Sequence, residues 1–188
     1  MGRLNDLAEK YGTDKGYVVG PNNPWFEEGI RGHNYCNLFY EDLIRPFVDK
    51  ECKILEFGVL HGGSLRMWDA YLQHPRSVVI GMDKDMSLLS TNSFSNSIHI
   101  HRGDVTSKDD LKVVCNYYKS VDFIIDDASH DPKEQILSLE AMHDKFTSYY
   151  IIEDGIHDEV IDYIRNNVDA TLVFHKNALI LKRGTKDG

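Results

Sequence analysis

From Lys53 onward, the apolar positions switch between two periods. The segments KILEFGV, SVVIGMD, IHIHRGD, VDFIIDD and YYIIEDG are short apolar runs closed by glycine or acid, the mark of buried strands. Between them lie stretches with helical spacing. In SLRMWDAYLQ the positions Leu65, Trp68, Tyr71 and Leu72 fall on one face. DDLKVVCNYYKS, KEQILSLEAMHDKF and HDEVIDYIRNN read the same way. The end, TLVFHK followed by NALILKR, predicts an antiparallel hairpin turning at Lys176 and Asn177. Strands alternating with helices indicate a parallel sheet covered on both faces. The expectation is an α/β fold: a Rossmann-like, doubly wound, mostly parallel seven-stranded sheet with a C-terminal antiparallel hairpin. Upstream, a short helix over residues 4–11 precedes an irregular stretch, 12–34, dense in Gly, Pro, Asn and charge. A longer helix is predicted over 35–48, stopping near Pro46.

Length and charge narrow the picture. The 188 residues fit a single domain, with 1–50 as a helical and loop lead-in and 51–188 as a core. Acids outnumber bases by 30 to 21, which argues against nucleic acid or an anionic membrane as a partner. No apolar run approaches the ~18–20 residues of a membrane span, and MGRLNDLAEK lacks a signal-peptide core, so a cytoplasmic location is expected. Cys36, Cys52 and Cys115 are scattered and odd in number, which points to a reducing compartment without a disulfide framework or zinc site. Cys36 and Cys115 are expected to pack as small apolar side chains.

In doubly wound sheets ligands bind beyond the carboxyl ends of the strands. Here those ends are acidic: Glu56, Asp83, Asp104, Asp126 with Asp127, and Glu153 with Asp154. EFGVLHGGS runs from a strand through Gly58, Gly62 and Gly63 into a helix at Ser64, a turn that lets backbone approach a ligand. It is not the GxGxxG dinucleotide fingerprint, and a plain tight turn is the rival reading. Asp83 can accept both hydroxyls of a ribose or cap a helix. Asp104 can meet an adenine amino group or cap the next helix. In DDASHDP, Asp131 with Pro132 reads as a helix cap and first turn, which leaves Asp126, Asp127 and His130 to explain. Carboxylates gathered on two neighbouring strand ends suit a hard cation such as Mg²⁺, against the alternative of a solvated acidic rim. His99 and His101 read as edge or surface residues, and His33 as a pocket candidate.

Together, ILEFGVLHGGSLRMW, GMDKD, GDVTS, DFIIDDASHDP and YYIIEDG resemble the class I S-adenosylmethionine-dependent methyltransferases. More narrowly they resemble the macrocin and mycinamicin sugar O-methyltransferase group, which includes some rhamnosyl O-methyltransferases. YGTDKG followed by HNYCNLFYEDLI is similar to that group's lead-in. The resemblance covers about Tyr11 to Gly155. It implies that Glu56 and Gly58, with Gly62 and Ser64 of the same turn, hold the cofactor. It implies Asp83 at the ribose, Asp104 near the adenine, and Asp126 beside them. Asp127, Glu153 and Asp154 match the metal acids and His130 the general base. Thr13, Asp14 and Lys15 match residues that close over cofactor or substrate.

The function expected is that of a Mg²⁺- or Mn²⁺-dependent O-methyltransferase using S-adenosyl-L-methionine. Its acceptor is a small molecule or glycan with adjacent hydroxyls, a sugar such as rhamnose ahead of a catechol. The group's larger members carry extra regions that shape the acceptor pocket, so a homo-oligomer in which a neighbouring subunit completes the pocket is part of the expectation. The alternatives are a Rossmann-type nucleotide-binding oxidoreductase or hydroxylase-like enzyme, and a non-catalytic cofactor-binding subunit.

Overall fold

The computed structural model describes residues 2–89 and 94–184. Its strands are β1 (Lys53–Phe57), β2 (Val78–Asp83), β3 (Ile98–Arg102), β4 (Val121–Asp126), β5 (Phe146–Ile152), β6 (Ala170–His175) and β7 (Ala178–Arg183). They form one seven-stranded sheet in the order β3-β2-β1-β4-β5-β7-β6. The helices are α1 (Arg3–Tyr11), α2 (Glu41–Ile44), α3 (Gly63–Tyr71), α4 (Lys108–Tyr118), α5 (Pro132–Met142) and α6 (Asp158–Asn167). Each apolar run read as a strand is one, and the helical spacings between them are helices. Among the described residues, no helix is long and apolar enough to cross a membrane.

The chain gathers into two compact units. One comprises Met1–Lys53, Val59–Gly81 and Asp85–Ile100; the other comprises Ile54–Gly58, Met82–Lys84 and His101–Gly188.

In the first unit α1 packs against α3. Leu4 and Ala8 of α1 are buried, as are Leu65, Trp68, Tyr71 and Leu72 on the predicted face of α3. Glu41 ties these helices together, accepting from the Leu4 N–H at 2.8 Å and from the Tyr71 hydroxyl at 2.8 Å. The helix predicted over 35–48 is broken into three. A wide π-type turn (Cys36–Tyr40) leads into α2, and a tight 3₁₀ turn (Arg45–Phe47) holds Pro46. The wide turn accompanies an aromatic stack running Tyr35, Phe39, Tyr40 and Trp68, with successive ring centroids 5.3, 4.5 and 4.9 Å apart. Pro46 sits where a missing N–H is tolerated. Residues 12–34 are irregular, with one antiparallel bridge between Val18 and Arg31. Cys36 is buried 3.7 Å from the Met67 sulfur, as a small apolar side chain would be.

The second unit holds the parallel pairs β1–β4 and β4–β5, then β7 antiparallel to β5 and β6 antiparallel to β7. Phe57 is in register with Asp126, and Asp126 with Ile152, so these strands end level with one another. Ile54, Phe57, Phe123, Ile125, Ile151 and Leu181 are fully buried. Each helix start has its own chemistry. Ser107 caps α4 by accepting from the Asp110 N–H at 3.2 Å. Asp131 caps α5 by accepting from the Lys133 and Glu134 N–H groups, with Pro132 in the first turn. Cys115 is half-buried, its sulfur 2.9 Å from that of Met142. His101 meets the Tyr118 hydroxyl at 2.9 Å on the edge strand β3.

Candidate active site

The ends of β1, β2 and β3 build a cavity of about 450 Å³, open to solvent. Gly58 follows β1 with φ +86°, and an added Cβ would lie 2.1 Å from the Asp127 carbonyl oxygen. Only glycine tolerates both that conformation and that approach. The position is pinned by two backbone bonds of 3.0 Å, Gly58 N–H to the Met82 carbonyl and Asp127 N–H to the Phe57 carbonyl. Asp83 ends β2, and its carbonyl accepts from the Gly103 N–H at 2.9 Å. Asp104 follows on the next residue, with a carboxylate oxygen accepting from both the N–H and the hydroxyl of Thr106 at 2.9 Å. Those two bonds hold its carboxyl below the usual carboxylate range, and Lys84 lies 3.9 Å from its other oxygen. Asp104 does not cap α4, because Ser107 does. Gly58, Asp83 and Asp104 thus line one cavity, with Lys84, Ser129 and Glu134 completing its polar wall.

The ends of β4 and β5 carry a second cluster. One ligating atom each from Asp127, His130 and Asp154 lies within 4.8 Å of the others. His130 Nε2 is 3.2 Å from Asp127 Oδ1. That hydrogen bond raises the imidazole's pKa against the opposing effect of burial, and the charges of Asp127, Asp154 and Asp126 add to it. Both His130 (φ +57°) and Asp154 (φ +50°) adopt the left-handed backbone that non-glycine residues disfavour. Such strain persists where the surroundings over-determine it, and it concentrates at functional sites. His157 braces the pair of loops, its Nε2 lying 3.1 Å from the His130 carbonyl oxygen. Two carboxylates facing one point form a donor set for a divalent cation such as Mg²⁺, and the imidazole beside them is placed to bind or to exchange a proton next to it.

Other residues singled out from the sequence sit elsewhere. Asp126 is 2% exposed and turned into the core, hydrogen-bonded by the Ser138 hydroxyl and by Tyr150 at 3.3 Å. Burial pushes its carboxyl up to about 6, the bonds from Ser138, Ala128 and Tyr150 pulling it back in part. Strand alternation explains the split: Asp126 is the last residue of β4 and faces inward, and Asp127 beyond it faces the rim. Asp126 is therefore a core acid outside the cavity wall, not a ligand-facing one. Glu153 is buried and outside the Asp127–His130–Asp154 group. Glu56 is fully buried within β1. Thr13, Lys15, Gly62 and Ser64 belong to the first unit. There Thr13 and Lys15 are buried, Gly62 caps α3 at φ +81°, and Ser64 lies in that helix's first turn. His33 stacks on Tyr35 and lies 3.5 Å from Asp14. The sequence reading missed Lys84, Ser129 and Glu134. Their only signal was adjacency, Lys84 next to Asp83 and Ser129 inside DDASHDP.

No protein-family model matches the sequence, and no relative is found among curated proteins. The fold has solved counterparts. The chain is similar to the MycE methyltransferase of the mycinamycin biosynthetic pathway, solved with Mg, SAH and mycinamycin VI. The TM-score is 0.75 at 22% identity, over 100% of this chain and 56% of that one. It is similar to CmcI with Mg and SAM, at TM-score 0.61 and 18% identity, over 88% and 79% of the two chains. It is also similar to an O-methyltransferase from Bacillus cereus in complex with SAH, at 0.60 and 14%, over 96% and 90%. The chain spans about half the length of MycE. At these identities the likeness is one of fold: a Rossmann-like methyltransferase sheet with an antiparallel end.

Proposed function

We propose that the chain is an S-adenosylmethionine-dependent, Mg²⁺-dependent O-methyltransferase that acts on a sugar or glycoside hydroxyl flanked by a second hydroxyl. One observation carries the reading. A cavity with acids from two successive strand ends, and an Asp–His–Asp cluster on the next two, belong to the same compact unit. MycE and CmcI are solved with Mg and with SAH or SAM, of the chemistry these two features would take.

When bound, the sulfonium supplies an electrophilic methyl group and the cation acidifies the acceptor hydroxyl. The chain's residues do the rest. Gly58 lets main chain approach the cofactor closely, Asp83 accepts from its ribose hydroxyls, and Asp104 accepts from its adenine amino group. The acids also favour a cationic sulfonium over its neutral product. Asp127 and Asp154 would hold the cation, beside which the acceptor and its neighbouring hydroxyl would be oriented. Asp127 Oδ1 keeps the proton on His130 Nε2, which leaves Nδ1 to take the acceptor's proton.

The test is transfer of labelled methyl from S-adenosylmethionine to a panel of glycosides and catechols, with and without EDTA, alongside calorimetry with S-adenosylhomocysteine and NAD. Transfer to a glycoside that EDTA abolishes and Mg²⁺ restores is the expected result. Binding of NAD without S-adenosylhomocysteine would overturn the reading in favour of an oxidoreductase.

A further inference from the structure

We infer that Gln135 is a positioning residue for the cation site, holding the turn that carries Asp154 in register with the loop that carries Asp127 and His130; the inference rests on the cation reading given above. Gln135 lies in α5 and is 1% exposed. Its backbone is satisfied, the N–H donating to the Asp131 carbonyl at 2.9 Å and the carbonyl accepting from the Ser138 hydroxyl at 3.0 Å. Its side chain is not: neither Nε2 nor Oε1 has a hydrogen-bond partner among the described residues. An amide buried this way carries a desolvation cost that a leucine of similar bulk would not. A glutamine serving as mere packing is therefore a poor choice for the position.

The direction of the amide says what it serves. A Cβ built on Gly155 would lie 2.6 Å from Gln135 Nε2 and 3.1 Å from Oε1. The amide thus occupies the room a side chain at Gly155 would need. Gly155 follows Asp154, whose backbone is held at φ +50°. The same turn is also held by main-chain and histidine contacts: Glu153 N–H to the Asp126 carbonyl at 2.9 Å, Gly155 N–H to the Asn177 carbonyl at 3.4 Å, and His157 to the His130 carbonyl at 3.1 Å. α5 begins with the Asp131 cap, the residue after His130, and Gln135 follows that cap within the first turn or so of the helix. One helix therefore starts on the loop of His130 and presses an amide on the turn of Asp154. It sets the separation of ligating atoms that now lie within 4.8 Å. Mg²⁺ demands oxygens at ~2.0–2.1 Å in near-octahedral array, so its affinity depends steeply on that separation. The amide, polar at both ends, can bond the peptide groups of the turn as the carboxylate draws in, which an apolar side chain cannot do.

The experiment measures Mn²⁺ binding to the full chain by electron paramagnetic resonance of the free ion, with S-adenosylhomocysteine affinity and thermal unfolding followed in parallel. Gln135→Leu should weaken Mn²⁺ binding by about 10-fold or more while S-adenosylhomocysteine affinity stays within about twofold. Gly155→Ala, which crowds the amide and also His157 Nε2 at 3.2 Å, should weaken Mn²⁺ binding likewise, and Gln135→Met replaces the leucine variant if that does not fold. Wild-type Mn²⁺ affinity in either folded variant, whatever its melting temperature, makes Gln135 a packing residue and overturns the inference. Failure of the wild-type chain itself to bind Mn²⁺ removes the cation reading, a result distinct from variants that match a binding wild type.

Discussion

Replacing Gly58 by alanine probes a residue that lines the cavity and lies against the main chain of Asp127. The added methyl would sit 2.1 Å from the Asp127 oxygen, 2.7 Å from its carbonyl carbon and 3.1 Å from Ala128 Cα, all main-chain atoms that cannot rotate aside. Two effects combine. Holding an alanine at φ +86° costs ~1–2 kcal/mol, offset by ~0.4–1 kcal/mol from a less flexible unfolded chain. Relieving the clash requires the chain after β4 to retreat, at the ~1–3 kcal/mol typical of overpacking. The net expectation is a loss of about 2–4 kcal/mol in urea unfolding, with weaker binding of both S-adenosylhomocysteine and Mn²⁺, because Asp127 moves with the retreating chain. Gly29 supplies the control. Its φ is +87° but nothing lies within 4 Å of an added Cβ, so Gly29→Ala isolates the conformational part at about 1 kcal/mol or less. If Gly58→Ala lost no more stability than Gly29→Ala and bound both ligands normally, the close approach to Asp127 would have no consequence and the reasoning would fail.

Asp83→Ala should weaken S-adenosylhomocysteine binding by ~1–3 kcal/mol in calorimetry, and unchanged affinity would remove Asp83 from the cavity's function. Asp154→Ala should abolish methyl transfer while S-adenosylhomocysteine binding persists, since the carboxylate serves the acceptor side; retained transfer after exhaustive chelation would reduce the cluster to an acidic rim. Asp126 gives a pH signature. Its folded-state carboxyl is raised from 3.8 to about 6, chiefly by burial, so the folded form binds its proton more tightly than the unfolded one. Stability should therefore be greatest below about pH 4 as far as this group is concerned, and fall as pH rises to about 6, by on the order of 3 kcal/mol. Asp126→Asn should flatten that slope relative to wild type across this window; parallel pH profiles would show that Asp126 is not buried as an acid.

The fold was legible because its central strands are buried on both faces and so read as unbroken apolar runs, as in VDFIIDD and KILEFGV. Helix starts were legible where a short polar side chain leads directly into the helix, as at Asp131. Where two short polar side chains compete, the pattern fails: Asp104 and Ser107 both fit a cap, and the Thr106 bonds to Asp104 with the Asp110 bond to Ser107 decide between them. The acid pairs failed in another way. A strand end exposes one neighbour and buries the next, and sequence alone does not say where the strand stops, so Asp126 and Asp127 looked alike. Lys84, Ser129 and Glu134 reach the cavity from loops and a helix end, whose side-chain directions follow no period. The break at Cys36–Tyr40 reflects aromatic packing against Trp68 from a distant helix, which no local propensity encodes.

The sheet's order, β5-β7-β6, has a consequence for how the chain is made. β7 follows β6 in sequence yet lies inside it, pairing with β5 through Tyr149–Lys182, Tyr150–Leu181, Ile151–Ile180 and Ile152–Leu179. During synthesis at ~5–20 residues per second, β5 emerges with an open, apolar edge and keeps it for a few seconds until Ala178–Arg183 clears the ribosome. An unpaired edge of that kind is a template for a neighbouring nascent chain. A translational stop before Ala178 would leave the edge exposed for good, converting the strand that carries Asp154 at its end into a seed for aggregation.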